Sequence, residues 1–292
     1  MDQSIFSSDF KPEPYWWDRT PRPVPLEASI PDQADVVIVG SGYTGLNAGL
    51  VTARAGLSTV IVDAEEPGWG CSSRNGGQVS GEVKPSYKAL ARLHGPAQAY
   101  AIIAEARSAL RWVGDFINDE GIDCDYRHCG RFHAAHSAQQ YATQKQEFKS
   151  QVKGLERDGH LVDKTQLKNE VDSPFYHGGL VISEHASLDP ARYHQGLYER
   201  ALASGCHVVD NCRVENIVRN ADGFNLSTAK GPIRAGKVIV ATSGYTGSAT
   251  PWHQRRIIPI GSYMLATELL DPDVAHGLIP YDWVVSDTRK LV

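Results

Sequence analysis

Hydrophobic and polar positions follow two rhythms along this chain. ADVVIVG (34–40) is a continuous, β-branched apolar run that stops at a glycine, and it predicts a buried parallel strand. Leu46, Leu50 and Ala53 then recur at helical spacing, with Gly56 as a C-terminal stop. STVIVD (58–63) predicts a second strand, so a βαβ unit is complete by Asp63. Residues 64–85 lose periodicity, are rich in Gly, Pro and Ser, and read as a loop.

Helical spacing returns over 97–118, with Tyr100, Ile103, Leu110, Val113 and Ile117 on one face. Short strands are expected within 123–136, a polar helix over 137–159, and a strand over 178–185. Residues 187–205 carry the clearest helix signature: Ser187 or Asp189 as cap, Pro190 in the first turn, Gly205 as terminator. From Cys206 the period changes to two. CHVVD, RVENIVRN, GFNLSTAK and GPIRAGKVIVAT predict an antiparallel meander running into the apolar strand KVIVAT (237–242). RRIIPIGSYMLATELL (255–270) is expected to add strand.

Ahead of the first strand, residues 1–33 hold six prolines, which argues against regular structure there. Tyr15, Trp16 and Trp17 are expected to pack this arm onto the body or onto a partner. With 292 residues, 41% hydrophobic and 22% charged, the chain can build two globular domains. A net charge of −5 gives no basic excess for a nucleic-acid partner. Five cysteines without a C-x-x-C pair point to reduced thiols. The N-terminus does not read as a signal peptide, and no run approaches the ~20 apolar residues of a membrane span. A soluble, cytoplasmic protein is the expectation.

Gly40, Gly42 and Gly45 satisfy G-x-G-x-x-G between a strand and a helix, and Asp63 ends the next strand 23 residues after Gly40. In such a fingerprint the glycines permit a tight turn, close approach of a pyrophosphate and close helix packing, while the acid accepts from the ribose hydroxyls. The Asp63 carboxylate would repel a 2′-phosphate, which disfavours NADP. A tight turn that binds nothing is the plain alternative. The second glycine-rich stretch, GWGCSSRNGGQ (68–78), suits a further approach to a diphosphate or a flavin ring.

Together, DVVIVGSGYTGLNAGLVTARAGLSTVIVDAE and GCSSRNGGQ resemble the D-amino-acid oxidase superfamily of FAD-dependent oxidoreductases, nearest its γ-glutamylputrescine oxidase-like branch. GRFHAAH, GGLVISEHASLDPARYHQGL, VIVATSGYTG and RRIIPIGSYMLATELL extend the likeness over residues 15–292. The resemblance implies an α/β fold: a Rossmann-type FAD-binding domain, with a parallel sheet and antiparallel meander, plus an α+β substrate domain of mixed or antiparallel sheet. The expected division is an arm at 1–33, an FAD-binding domain at 34–85 and 178–250, and a substrate domain at 86–177 and 251–292.

The resemblance also implies a cofactor set. Gly40, Gly42 and Gly45, with Tyr43 and Thr44 between them, meet the FAD pyrophosphate. Asp63, in place of the usual Glu, meets the adenosine ribose. Ser72, Ser73, Arg74, Asn75, Gly76 and Gln78 form the loop between pyrophosphate and flavin. The Val214 backbone meets the adenine, and Ala241, Thr242 and Gly244 form a closing turn. No catalytic residue is identified, and no metal site: His128, His133 and His136 lack suitably spaced acidic or thiolate partners and read as strand-face histidines. Cys71 reads as a small loop residue, Arg255 and Arg256 as a solvated pair, and Trp252, His253 and Tyr245 stay unassigned.

The implied chemistry is oxidation of a C–N bond in an amine or amino acid such as γ-glutamylputrescine, sarcosine or glycine. The imine then hydrolyses, and electrons pass to O2 or another acceptor. Family members continue beyond the point where this sequence stops, so a fragment or a natural truncation is expected, with catalytic groups in the missing part. Two alternatives remain: a non-catalytic FAD- or NAD-binding module, and a flavoenzyme with a hydroxy-acid or glycerol-phosphate donor.

Overall fold

The computed structural model describes residues 10–289. They pack as two units. One runs to Gly76 and includes Ile122–Cys124 and Asp189–Leu265; the other comprises Gly77–Gly121, Asp125–Leu188 and the chain from Ala266 on.

In the first unit the helices are α1 (Tyr15–Arg19), α2 (Tyr43–Arg54), α6 (Pro190–Ala203) and α7 (Pro251–Gln254). Its strands are β1 (Gln33–Val39), β2 (Thr59–Val62), β8 (His207–Val209), β9 (Val214–Asn220), β10 (Gly223–Thr228) and β11 (Gly231–Val240). They form one sheet in the order β8-β2-β1-β11-β10-β9. β8, β2, β1 and β11 run parallel, and β9, β10 and β11 form the antiparallel meander.

The pleat of the parallel strands decides the two faces. Val37, Val39, Val60, Val62 and Val209 form one cluster with Cys212, Leu226, Ile233 and Ala235 of the meander segment. Ile38 and Ile61 point the other way, toward α2. A side chain on Gly49 of α2 would put its Cβ 2.7 Å from Ile61 Cδ1 and 3.1 Å from Cys206 Sγ, so glycine there lets helix and sheet meet closely. Buried Leu46, Leu50, Leu197 and Ala201 line the packed faces of α2 and α6. Helix α6 starts where its cap dictates: Asp189 Oδ1 accepts from the Ala191 and Arg192 amides at 2.9 and 3.1 Å.

In the second unit β4 (Arg131–Ala134), β5 (Gly159–Asp163), β6 (Gly178–Ile182) and β12 (Val284–Asp287) form a sheet in the order β12-β4-β6-β5. β3 (Gln78–Ser80) pairs separately with β7 (His185–Ser187). The helices are α3 (Tyr87–His94), α4 (Pro96–Asp119), α5 (Ala138–Lys149) and α8 (Pro272–Leu278). Phe132, Ala134, Val162, Leu167, Val171 and Val181 build this unit's core against Trp283 and Val285.

Several expectations are corrected. The proline-rich arm holds one helical turn, α1, which starts after Pro14 and stops before Pro21, Pro23 and Pro25. The 64–85 loop contains a 3-10 turn at Cys71–Ser73 and the strand β3. Residues 123–130 contribute only an isolated bridge, Arg127 to Ser187. The polar helix ends at Lys149, and 159–163 is strand. CHVVD is a parallel edge strand beside β2 rather than part of the meander.

Residues 255–270 form no strand, and Ile258, Ile260, Tyr263, Leu265 and Leu269 are exposed. Apolar composition alone does not make a strand: the ladder bonds need a neighbouring backbone, and none pairs with this segment among the described residues. The expected domain limits also shift. Residues 77–85 and 178–188 pack with the second unit, because β6 pairs with β4 and β5 and β7 pairs with β3; 251–265 pack with the first.

Leu226 is 1% exposed at the centre of the meander cluster. Leu226→Ala is expected to destabilise the first unit by about 2–5 kcal/mol, read as a lower denaturant midpoint; an unchanged midpoint would contradict this core.

Candidate functional site

The site is built at the carboxyl end of β1. The chain leaves Val39, turns through Gly40–Gly42 and enters α2. Gly40 has φ +108°, and a Cβ there would lie 2.7 Å from the Ala241 carbonyl oxygen. A Cβ on Gly45 would lie 1.8 Å from the Gly40 carbonyl oxygen, and one on Gly42 would lie 2.9 Å from Ser72 Oγ. Thus the three glycines let β1, α2, the Ala241–Thr242 turn and the Ser72 loop converge where no side chain fits.

The first turn of a helix leaves amides without intrahelical partners. Gly42 caps α2 but has no side chain to satisfy them. The Tyr43 amide donates to Ser72 Oγ at 3.1 Å. For Gly42, Thr44 and Gly45 no protein acceptor takes the N–H among the described residues. This cluster, at the positive end of the helix dipole, is suited to an anion.

Ser41 sets the orientation of the turn and was not singled out in the sequence. Its amide and its hydroxyl both donate to Asp63 Oδ2, at 2.6 and 2.7 Å. Its carbonyl accepts from His194 Nε2 at 2.8 Å. Asp63 Oδ1 accepts in addition from the Glu65 amide at 3.1 Å. Three of a carboxylate's roughly four acceptor positions are therefore used by the protein, leaving room for one ribose hydroxyl rather than the two expected.

His194 is fully buried on α6, and its Nδ1 has no hydrogen-bond partner among the described residues. A Cβ on Gly68 would lie 3.1 Å from that nitrogen, so glycine keeps the space beside it clear. Burial holds the imidazole below its ordinary pKa, partly opposed by the Ser41 carbonyl and the Asp63 charge. The neutral form with hydrogen on Nε2 is the one that serves Ser41. One signal for His194 was available, a histidine on the packed face of a well-marked amphipathic helix, but its target was not.

The remaining residues divide. Tyr43 is turned away from the turn: its hydroxyl donates to the Pro190 carbonyl at 3.2 Å and accepts from Asn75 Nδ2 at 3.3 Å, and burial raises its pKa. Ser72 reaches the turn, as above. Ser73 is buried, its hydroxyl bonded to the Gly68 carbonyl and to Trp17 Nε1. Arg74 lies over the Trp69 ring at 4.7 Å, with Nη2 3.5 Å from the Tyr245 hydroxyl. Asn75 Nδ2 also donates to the Cys71 and Ser72 carbonyls, closing the loop on itself.

Gly76 ends the first unit, and Gln78 begins β3 in the second. Val214 opens β9 and packs against the meander cluster. Thr242 bonds Thr246 through their hydroxyls at 2.6 Å, and Gly244 follows Ser243, which takes a left-handed φ of 47°. Outside the site, His133 bonds Ser286 and Arg131, and His136 bonds Thr288. Among the described residues no cluster of His, Cys, Asp and Glu is arranged to hold a metal, and no helix is long and apolar enough to cross a membrane.

A parallel sheet whose first strand delivers a glycine turn to open helix amides, with a meander at the far side, is the architecture of a dinucleotide-binding domain. The sequence profile of the FAD dependent oxidoreductase family (DAO) matches residues 35–292, and the chain belongs to that family. Gamma-glutamylputrescine oxidoreductase of Escherichia coli K12 is 31% identical over 263 residues, 88% of this chain and 60% of that protein. The probable oxidoreductase OrdL of Rhizobium meliloti is 26% identical over 98% of this chain and 67% of its own length. In three dimensions, glycine oxidase from Geobacillus kaustophilus superposes with a TM-score of 0.64 at 18% identity, over 76% of this chain and 58% of that one. The chain thus spans about three-fifths to two-thirds of the length of these relatives.

Two outcomes are expected. Gly45→Ala forces α2 away from the Gly40 carbonyl, so flavin retention should be lost while the secondary-structure spectrum persists; retention at the unsubstituted level would contradict the packing. As for pH, the folded value of His194 lies below the ordinary 6.5, so the unfolded chain takes up its proton first on acidification. Stability is then full above about pH 6.5 and declines below it, by at most about 1.4 kcal/mol per pH unit. His194→Gln, which keeps a donor and cannot titrate, should flatten the acid limb of the denaturant-midpoint profile. An unaltered slope would show that His194 does not titrate this way.

Proposed function

We propose that the turn Gly40–Gly45 takes the pyrophosphate of FAD, and that the protein oxidises a C–N bond of an amine or amino acid. The observation that carries the cofactor assignment is the set of unpartnered amides at Gly42, Thr44 and Gly45. They sit in a space that a Cβ would fill. In this reading Asp63, with three acceptor positions already used by Ser41 and Glu65, accepts from one adenosine ribose hydroxyl, and its charge disfavours a 2′-phosphate. The Ser72 hydroxyl, already at the Tyr43 amide, is within reach of the same anion. The Val214 backbone and the Ala241–Thr242 turn complete the adenine and pyrophosphate borders.

When bound, FAD supplies a two-electron acceptor for hydride, and the protein's task is to hold it and to orient the donor. The clamp on Ser41 does the holding: a carboxylate and an imidazole fix both peptide planes of the turn before any ligand arrives. The substrate class rests on the relatives, whose names specify a γ-glutamylated putrescine and glycine. A neutral amine nitrogen beside the oxidised C–H would leave no need for a general base. The imine product is hydrolysed by water, and O2 or another acceptor takes the electrons.

The purified protein is expected to carry flavin absorbance. Anaerobic addition of a γ-glutamylated diamine, sarcosine or glycine should bleach it, and hydroxy acids should not. Bleaching by a hydroxy acid or glycerol phosphate alone would overturn the amine assignment. A coloured protein that no donor bleaches would make this chain a cofactor-holding module.

A further inference from the structure

The proline-rich arm ahead of β1 is more than a packed tail. Trp16 Nε1 donates to the Asn75 carbonyl and Trp17 Nε1 to Ser73 Oγ, both at 2.8 Å. The Trp17 ring also stands 5.6 Å from the Arg74 guanidinium, whose other ring neighbour is Trp69. Arg22, 4.3 Å from the same Trp17 ring, forms an ion pair with Glu66 at 2.7 Å. Four links thus join residues 16–22 to residues 66–75, and they cover the loop that carries Ser72.

Further along, Ala28 and Ile30 pack on the meander cluster, and His207 Nε2 meets the Ser29 carbonyl at 2.7 Å. The arm is therefore held by the sheet at its far end and bonded to the loop at its near end.

The loop needs such support. Its 3-10 turn, Cys71–Ser73, is held by long backbone bonds, from the Ser73 amide to the Gly70 carbonyl at 3.4 Å and from the Arg74 amide to the Cys71 carbonyl at 3.3 Å. Asn75 and Ser73 stand on either side of Arg74, and Ser72 is the residue whose hydroxyl reaches the Tyr43 amide. An indole N–H is a donor only, so each contact fixes one acceptor in direction, and the Trp17 contact also fixes the hydroxyl hydrogen of Ser73 toward the Gly68 carbonyl. We propose that Trp16 and Trp17 are positioning residues of the cofactor site: the arm straps the 71–75 loop in the conformation that presents Ser72 to the pyrophosphate turn. This rests on the FAD assignment above for its consequence, and on the hydrogen bonds alone for its structural part.

The test uses the whole chain with Trp16→Phe and Trp17→Phe, singly and together. Phenylalanine keeps a ring for packing and for Arg74 and removes the N–H. Tyr15→Phe is the control, since among the described residues the Tyr15 hydroxyl accepts only from Arg19 Nη1, at 3.4 Å, and makes no hydrogen bond to the loop. Two readouts are taken: FAD affinity by titration of the apoprotein, and the rate of tryptic cleavage after Arg74 in the apoprotein. The double variant should bind FAD about tenfold more weakly and be cut after Arg74 several-fold faster, with cleavage elsewhere unchanged; Tyr15→Phe should match the unsubstituted protein in both. If the double variant does not fold, the single variants carry the same two readouts with smaller shifts.

Unchanged affinity together with unchanged cleavage would overturn the proposal. An unsubstituted protein that binds no FAD would overturn the cofactor assignment, while faster cleavage in the variants would still uphold the strap as a property of the loop.

Discussion

The whole first unit depends on one close approach: the start of α2 against the carbonyl of Gly40. At that distance a single methyl group would collide, so the helix can begin where it does only with glycine at 45. The consequences run outward. With α2 seated there, Leu46 and Leu50 reach the sheet, Ile61 and Cys206 close over Gly49, and α6 packs alongside. The first-turn amides, lacking any capping side chain, are left facing the turn. The packing of α2 and the exposure of its first amides are thus set by the same absence of side chains.

Shape is not sufficient, because a glycine-rich turn is also a flexible one. The structure answers with polar contacts at the one residue of the turn that has a side chain. Ser41 spends its amide, hydroxyl and carbonyl on Asp63 and His194, which arrive from β2 and α6. Two segments distant in sequence therefore fix the two peptide planes that meet at Ser41. Trp16 and Trp17 stand in a similar relation to the second loop, with donors reaching in from outside to hold a stretch whose own backbone bonds are long.

Much of this was legible in the sequence. The βαβ unit, the meander and the α6 helix follow from short-range rules: apolar runs, turn residues, an Asp-Pro cap. The fingerprint was readable because each glycine does a local job. What escaped was set by long-range partners. CHVVD alternates like a meander strand yet pairs in parallel with β2, since pairing direction is decided by the connection through α6 and not by the alternation itself. The 255–270 segment has strand composition but no neighbour. His194 looked like any histidine on a helix face, and only the fold brings Ser41 to it.

Asp63 shows how a one-carbon difference reshapes such a site. A glutamate at the end of β2 has an extra methylene with which to reach outward to a ribose. The aspartate is drawn back, and its carboxylate becomes the joint between the second strand and the turn. On the FAD reading proposed above, the carboxylate still disfavours a 2′-phosphate even though most of its acceptor capacity is used internally. What changes is the division of labour: rigidity of the turn moves onto the acid. An acid in this role is no longer interchangeable with its longer homologue, because lengthening it would loosen Ser41 before it improved any contact with the ribose.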